Sequence, residues 1–128
     1  MSDNRALVRE FIAAFNAYSK AEDLDRIMGF FAPKAVYHNM PVPPVSGHDA
    51  IRGVLAGFMG MATKVDWVLH DIAESDAGRV LTERLDRFLV GEKWVELPVM
   101  GAFEIENGKI SAWRDYFDLS QFQSQLPS

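Results

Sequence analysis

Three short segments of this chain carry residue types that can move protons: Tyr37-His38-Asn39, Thr82-Glu83-Arg84-Leu85-Asp86 and Trp113-Arg114-Asp115-Tyr116-Phe117-Asp118. Each falls in a stretch that reads as a β-strand, where residues two apart project from the same face. Tyr37 is thereby paired with Asn39, Arg84 with Asp86, and Asp115 stands between Trp113 and Phe117. The set supplies two carboxylates, one fixed cation and two neutral hydrogen-bonding groups. That is enough to activate a water and protonate a leaving oxygen in one cavity, with no nucleophilic side chain and no metal. The chemistry it suggests is addition of water to a strained ring.

Asp115 carries the strongest individual signal. Its neighbours on the strand face are large apolar groups, and a carboxylate held against aromatic walls is disfavoured in its charged form, which suits it to accept a proton. The opposite orientation would turn Arg114, Tyr116 and Asp118 inward, burying two charges and exposing two big aromatics, against the usual distribution. Arg84 and Asp86 say less alone, because opposite charges two apart on a strand are common surface pairs of small energetic consequence. Their strand alternates poorly: Val80, Phe88 and Val90 share their face, while Leu81, Leu85 and Leu89 share the other with Glu83 and Arg87. Periodicity leaves the inner face open. Beside Asp115, however, an inward arginine can hold two carboxylates close together while they share one proton, so that one serves as acid and the other as base. Tyr37 and Asn39 are often structural at a strand end, but both can accept from and donate to a water. Phe88, Leu97, Val99, Trp113 and Phe117 are expected to line the apolar part of the cavity.

Other chemistries lack support. His38 falls on the opposite face from Tyr37, His48 and His70 are scattered, and there is no cysteine, which makes a poor metal site. No metal and no cofactor is expected. Neither a serine-nucleophile elbow nor a glycine-rich nucleotide loop is present.

The elements that must position these residues fall into two halves. Leu7, Phe11, Ile12, Phe15 and Tyr18 recur at helical spacing, with Asp3 as a cap. Leu24, Ile27, Met28 and Phe31 predict a second short helix, ended by Pro33. Ala35 to Met40 reads as a short strand, followed by a stiff extended loop at Pro41-Val42-Pro43-Pro44. A third helix opens near His48 or Asp49 and carries Ile51, Val54, Leu55, Phe58 and Met59; Gly53 and Gly57 on one side of it predict close packing on a sheet. Beyond residue 63 the pattern turns extended. Lys64–Glu74, Arg79–Val90, Lys93–Glu104 and Lys109–Leu119 are long strand candidates, separated by turn sequences at Ser75-Asp76-Ala77-Gly78, Gly91-Glu92 and Asn107-Gly108. Helices first and consecutive hairpins after predict an α+β fold with a curved, mostly antiparallel sheet closed by three N-terminal helices into a cone.

Composition sets the outer limits. A length of 128 residues with 48% apolar and 24% charged residues fits one globular domain, residues 1–128, with a real core. A net charge of −5 without any basic run disfavours a nucleic-acid partner. No apolar run reaches the length of a membrane span, and the N-terminal residues lack the apolar core of a signal peptide, so a cytoplasmic location is expected. The long strands carry apolar residues on both faces. One cavity can cover only one of them, so a homodimer through the outer face is expected.

Taken in order, Tyr37-His38-Asn39-Met40-Pro41, Thr82-Glu83-Arg84-Leu85-Asp86 and Trp113-Arg114-Asp115-Tyr116-Phe117-Asp118-Leu119 resemble the limonene-1,2-epoxide hydrolase family, from about the first helix to about Phe122. The resemblance implies the cone-shaped fold of the nuclear-transport-factor-2 (NTF2-like, SnoaL-like) superfamily, usually as a homodimer. It also implies cofactor-free, single-step hydrolysis of a small-molecule epoxide by water to a vicinal diol. By the same resemblance Asp115 is the base, with Tyr37 and Asn39 positioning the water. Asp86 is the acid on the epoxide oxygen and Arg84 the bridge between the carboxylates. Phe88 departs from the family, standing where a smaller aliphatic is usual. Two other readings compete. An isomerase or aldol cyclase on the same fold would use Asp115 on a proton next to a carbonyl, but gains little from an arginine clamping a second carboxylate. A non-catalytic ligand-binding module has no reason to bury two carboxylates.

Overall fold

The structure, a computed structural model, describes residues 3–127. The first helix, α1 (Asn4–Asn16), is capped by Asp3, whose carboxylate accepts from the backbone N–H of Arg5 and Ala6. Its buried stripe is Val8, Phe11, Ile12, Ala14 and Phe15. Helix α2 (Asp23–Met28) follows and buries Leu24, Ile27 and Met28. It stops at Gly29, short of the expected end at Pro33. Phe31 instead opens strand β1 (Phe31–Asn39), because the neighbouring strand claims it: Phe31 pairs with Ile110, and the Ile110 N–H donates to the Phe30 carbonyl at 2.8 Å. Pro33 is exposed in the part of β1 where the register shifts, a place where a missing donor costs little.

A two-residue strand, β2 (Val45–Ser46), leaves the Pro-rich loop and pairs antiparallel with β1. Helix α3 (His48–Met61) packs Ile51, Leu55 and Met59 inward. Gly53 and Gly57 lie on its exposed side, where a Cβ would meet nothing within 4 Å, so the expected close packing on a sheet at these glycines does not occur. The four long strands are β3 (Lys64–Glu74), β4 (Val80–Val90), β5 (Lys93–Glu106) and β6 (Lys109–Tyr116). β6 ends earlier than expected, and a short helix α4 (Leu119–Gln123) takes over, capped by the Asp118 carboxylate on the Gln121 N–H.

The six strands form one curved, unclosed sheet in the order β2-β1-β6-β5-β4-β3. β3 to β6 are consecutive antiparallel hairpins, and β1 lies parallel to β6. The helices gather on the inner face. α1 packs on β3 and β4, α3 on β1 and β2, and α2 joins the two helices. The face of β4 that periodicity left open is settled by this layer: Val80, Thr82, Arg84, Asp86 and Phe88 point inward, while Leu81 is 42% exposed on the outside. At the heart of the core Trp113 stacks on Phe103 at 5.7 Å and meets Phe11 edge-on at 5.0 Å. No helix among the described residues is long and apolar enough to cross a membrane.

Candidate active site

Strand register brings the three segments together. The parallel pairing of β1 and β6 sets Tyr37 beside Trp113 and Asn39 beside Asp115. Thr82 on β4 faces Gly101 on β5, and Gly101 in turn faces Asp115 on β6. Neighbouring strands lie about 4.8 Å apart, so Arg84 must cross the intervening strand to reach Asp115. It does so over Gly101, whose missing side chain leaves the path clear. A Cβ there would stand 2.6 Å from Arg84 Nη1 and 2.8 Å from both Asp115 Oδ1 and Thr82 Oγ1. This glycine is a site residue that the reading of the sequence missed. Its signal was available: a lone glycine inside a strand marks a close approach of other groups.

The guanidinium engages both carboxylates in pairs. Arg84 Nε and Nη2 donate to Asp86 Oδ1 and Oδ2 at 3.0 and 2.8 Å. Nη1 and Nη2 donate to Asp115 Oδ1 and Oδ2 at 3.1 and 2.7 Å, and Nη1 also reaches Thr82 Oγ1 at 3.3 Å. Asp115 Oδ1 accepts a further bond, at 2.7 Å, from the indole N–H of Trp113. The wall beside Asp115 is thus aromatic, as expected, but it also donates a hydrogen bond to the carboxylate. All three charged groups are at least 96% buried: Arg84 is 1%, Asp86 3% and Asp115 4% exposed. Two ionised carboxylates on one arginine would leave a net negative charge out of water, a costly arrangement that one shared proton relieves.

Burial pushes the Asp86 carboxyl up to about 6, against the opposing pull of Arg84 and with a further push from the charge of Asp115. Burial alone would lower Arg84, but the charges of Asp115 and Asp86 more than offset it, so the guanidinium stays protonated. The Tyr37 phenol is raised, first by burial and then by the Asp115 charge, and keeps its proton as a neutral donor. Its ring stacks on Trp113 at 4.3 Å.

Asp86, Asp115, Tyr37 and Asn39 line one cavity that is partly open at its mouth. Its other walls are apolar. Phe88, Leu97, Val99 and Phe117 are among them. Trp113 is not: it is fully buried behind Tyr37 and acts on the site through Asp115. The remaining wall comes from Phe15 on α1, Leu55, Phe58 and Met59 on α3, Trp67 on β3 and Phe122 on α4. The sequence marked these as apolar without distinguishing lining from core. Among the described residues no three His, Asp or Glu side chains are grouped as a metal's ligands would be.

Comparison with known proteins bears on this geometry. The Burkholderia pseudomallei K96243 NTF2-like protein of unknown function has a TM-score of 0.82 at 20% identity, covering 100% of both chains, and shows the fold to be NTF2-like. A solved structure of an M. tuberculosis LEH-like epoxide hydrolase has a TM-score of 0.74 at 28% identity, covering 97% of this chain and 92% of that one. Epoxide hydrolase EphG of Mycobacterium tuberculosis (strain ATCC 25618 / H37Rv) is 34% identical over 111 residues, or 84% of this chain and 71% of EphG. The model of the limonene-1,2-epoxide hydrolase catalytic domain matches residues 2–128. With that match over nearly its whole length, the chain belongs to the limonene-1,2-epoxide hydrolase family.

Proposed function

We propose that this protein adds water to a small, mostly apolar epoxide and releases a vicinal diol in one acid–base step, without a cofactor. Asp115 takes a proton from a water held also by Tyr37 and Asn39. That water attacks one epoxide carbon from the side opposite the ring oxygen, the carbon–oxygen bond breaks with inversion, and Asp86 gives its proton to the departing oxygen. Arg84 keeps the two carboxylates in register while their protonation states exchange; afterwards proton exchange with solvent returns the pair to one ionised and one protonated member. Family membership and the likeness to EphG support epoxide hydrolysis. The observation that carries the mechanism is the buried Asp86–Arg84–Asp115 bridge at the polar wall of an otherwise apolar cavity.

The test is incubation with a panel of racemic and meso epoxides (cyclohexene oxide, 1-methylcyclohexene oxide, styrene oxide, 1,2-epoxyhexane), scored for diols. Diol from at least one, above the uncatalysed rate, is expected; no diol from any would remove the reading. A single turnover in oxygen-18 water, with enzyme in excess, then separates direct attack from an ester route. Direct attack puts the heavy oxygen in the diol and leaves the protein unlabelled. Heavy oxygen in Asp86 or Asp115, with an unlabelled diol, would overturn the one-step mechanism while keeping the activity.

A further inference from the structure

Trp67 has no part in the acid–base step described above, yet it lines the same cavity. It is held from several sides. Its backbone N–H donates to Asn16 Oδ1 at 2.7 Å, and Asn16 Nδ2 donates to its carbonyl at 3.0 Å. Phe15 stacks on its ring at 4.1 Å and 16°, Phe88 meets it edge-on at 6.3 Å, and the guanidinium carbon of Arg84 lies 5.1 Å from the ring centroid. Across the β3–β4 ladder Trp67 is the direct partner of Asp86, on the same inner face.

One atom of this well-fixed side chain has nothing to do. Trp67 Nε1 is buried and has no hydrogen-bond partner, and it is the one side-chain polar atom in that state among the described residues. Buried indole N–H groups ordinarily find an acceptor, as that of Trp113 does on Asp115. The nearby carboxylate oxygens are engaged by Arg84 and Trp113. An oxygen of the cavity's occupant is one source of an acceptor, and Trp67 shares that cavity wall with Asp86, its partner across the ladder.

We infer that Trp67 donates its indole N–H to the substrate oxygen that Asp86 protonates. This rests on the function proposed above. No proton leaves Trp67; its N–H stabilises negative charge as it develops on the ring oxygen, and it stays bonded to the same oxygen as a diol hydroxyl.

The experiment uses the full chain labelled with nitrogen-15 and the epoxide that the panel shows to be turned over fastest. The Trp67 indole signal, identified by its loss in Trp67→Phe, should move downfield when that epoxide's diol is added to saturation. It should stay put with the hydrocarbon of the same skeleton. Trp67→Phe should lower kcat about ten- to a hundred-fold with KM changed less than about threefold. If that variant does not fold, Trp94→Phe and the contact of Trp113 with Tyr37 identify the signal in the wild-type chain, and the titration decides. An indole signal unmoved by saturating diol, or a folded Trp67→Phe with unchanged kcat, would overturn the inference and leave epoxide hydrolysis standing. A panel that yields no diol removes both.

Discussion

Arg84 governs what the two aspartates can be to one another. It donates two hydrogen bonds to each, so removing either carboxylate leaves a buried cation with a single carboxylate partner. Asp115→Asn and Asp86→Asn should each lower diol formation by about 100- to 10,000-fold, because an amide is neither base nor acid. Circular dichroism checks that the fold persists; near-wild-type turnover in either variant would reassign that residue. Arg84→Lys should also be poor, since an ammonium lacks the planar fork that spans both partners. The raised Asp86 gives a pH signature. Its folded value of about 6 lies above the ordinary 3.8, so the folded state holds this proton more tightly than the unfolded state. That stabilisation is full below about 4 and is lost as pH rises through about 6. Urea midpoints of wild type and Asp86→Asn, compared at pH 4.5 and 7.5, should show the wild type losing ground on the variant as pH rises. The kcat/KM profile should fall on its alkaline side near the same pH, as the acid loses its proton. A wild-type rate still climbing above pH 8 would contradict Asp86 as the acid.

Among the elements, β5 is the one that makes the bridge possible. Its residues alternate between lining the cavity (Leu97, Val99) and facing outward (Pro98, Met100), until Gly101 opens the crossing for Arg84. Gly101→Ala introduces no backbone strain, because Gly101 is not among the positive-φ residues. Its effect is confined to the space it fills. We expect a folded variant, destabilised by about 1–3 kcal/mol, in which Arg84 and Asp115 are forced apart and kcat/KM falls at least about tenfold. Adding Thr82→Ala removes one of the three groups that the new methyl crowds and should restore part of the loss. Full activity in Gly101→Ala would show that the bridge tolerates displacement. At the far end of the sheet α4 supplies Phe122 to the cavity wall, and its start was legible in principle: Asp118 stands three residues before Gln121, a helix-capping pattern. The same-face alternation of Trp113, Asp115 and Phe117 instead favoured a longer strand.

The whole molecule has two unlike sheet faces. Helices and cavity cover the inner one. On the outer one Leu81 is 42%, Met100 52% and Tyr116 47% exposed, and register places Met100 beside Tyr116 and Leu85 beside Pro98, an apolar row across β4, β5 and β6 that Glu83, opposite Met100, interrupts. A second copy of this sheet would cover such a row. We expect a dimer by sedimentation at micromolar concentration, and Met100→Glu combined with Leu81→Glu should shift it toward monomer. A wild-type monomer under those conditions would remove the expectation.

The sequence by itself determined the chemistry on offer and the order of the elements: which strand faces carry Tyr37 with Asn39, Arg84 with Asp86, and Asp115, and that helices precede a run of hairpins. Side-chain alternation has a period of two and a local cause, so it is written in the chain. Which face of β4 is inside was not, because leucines on one face balance valines and a phenylalanine on the other until a helical layer covers one of them. The start of β1 at Phe31 was decided by β6, a partner nearly 80 residues away that overrides the local helical spacing. The separation of lining from core, with Trp113 behind the cavity and Trp67 in its wall, depends on how three helices pack on one curved sheet. The crossing at Gly101 requires three strands in register at once, and only the assembled sheet supplies that.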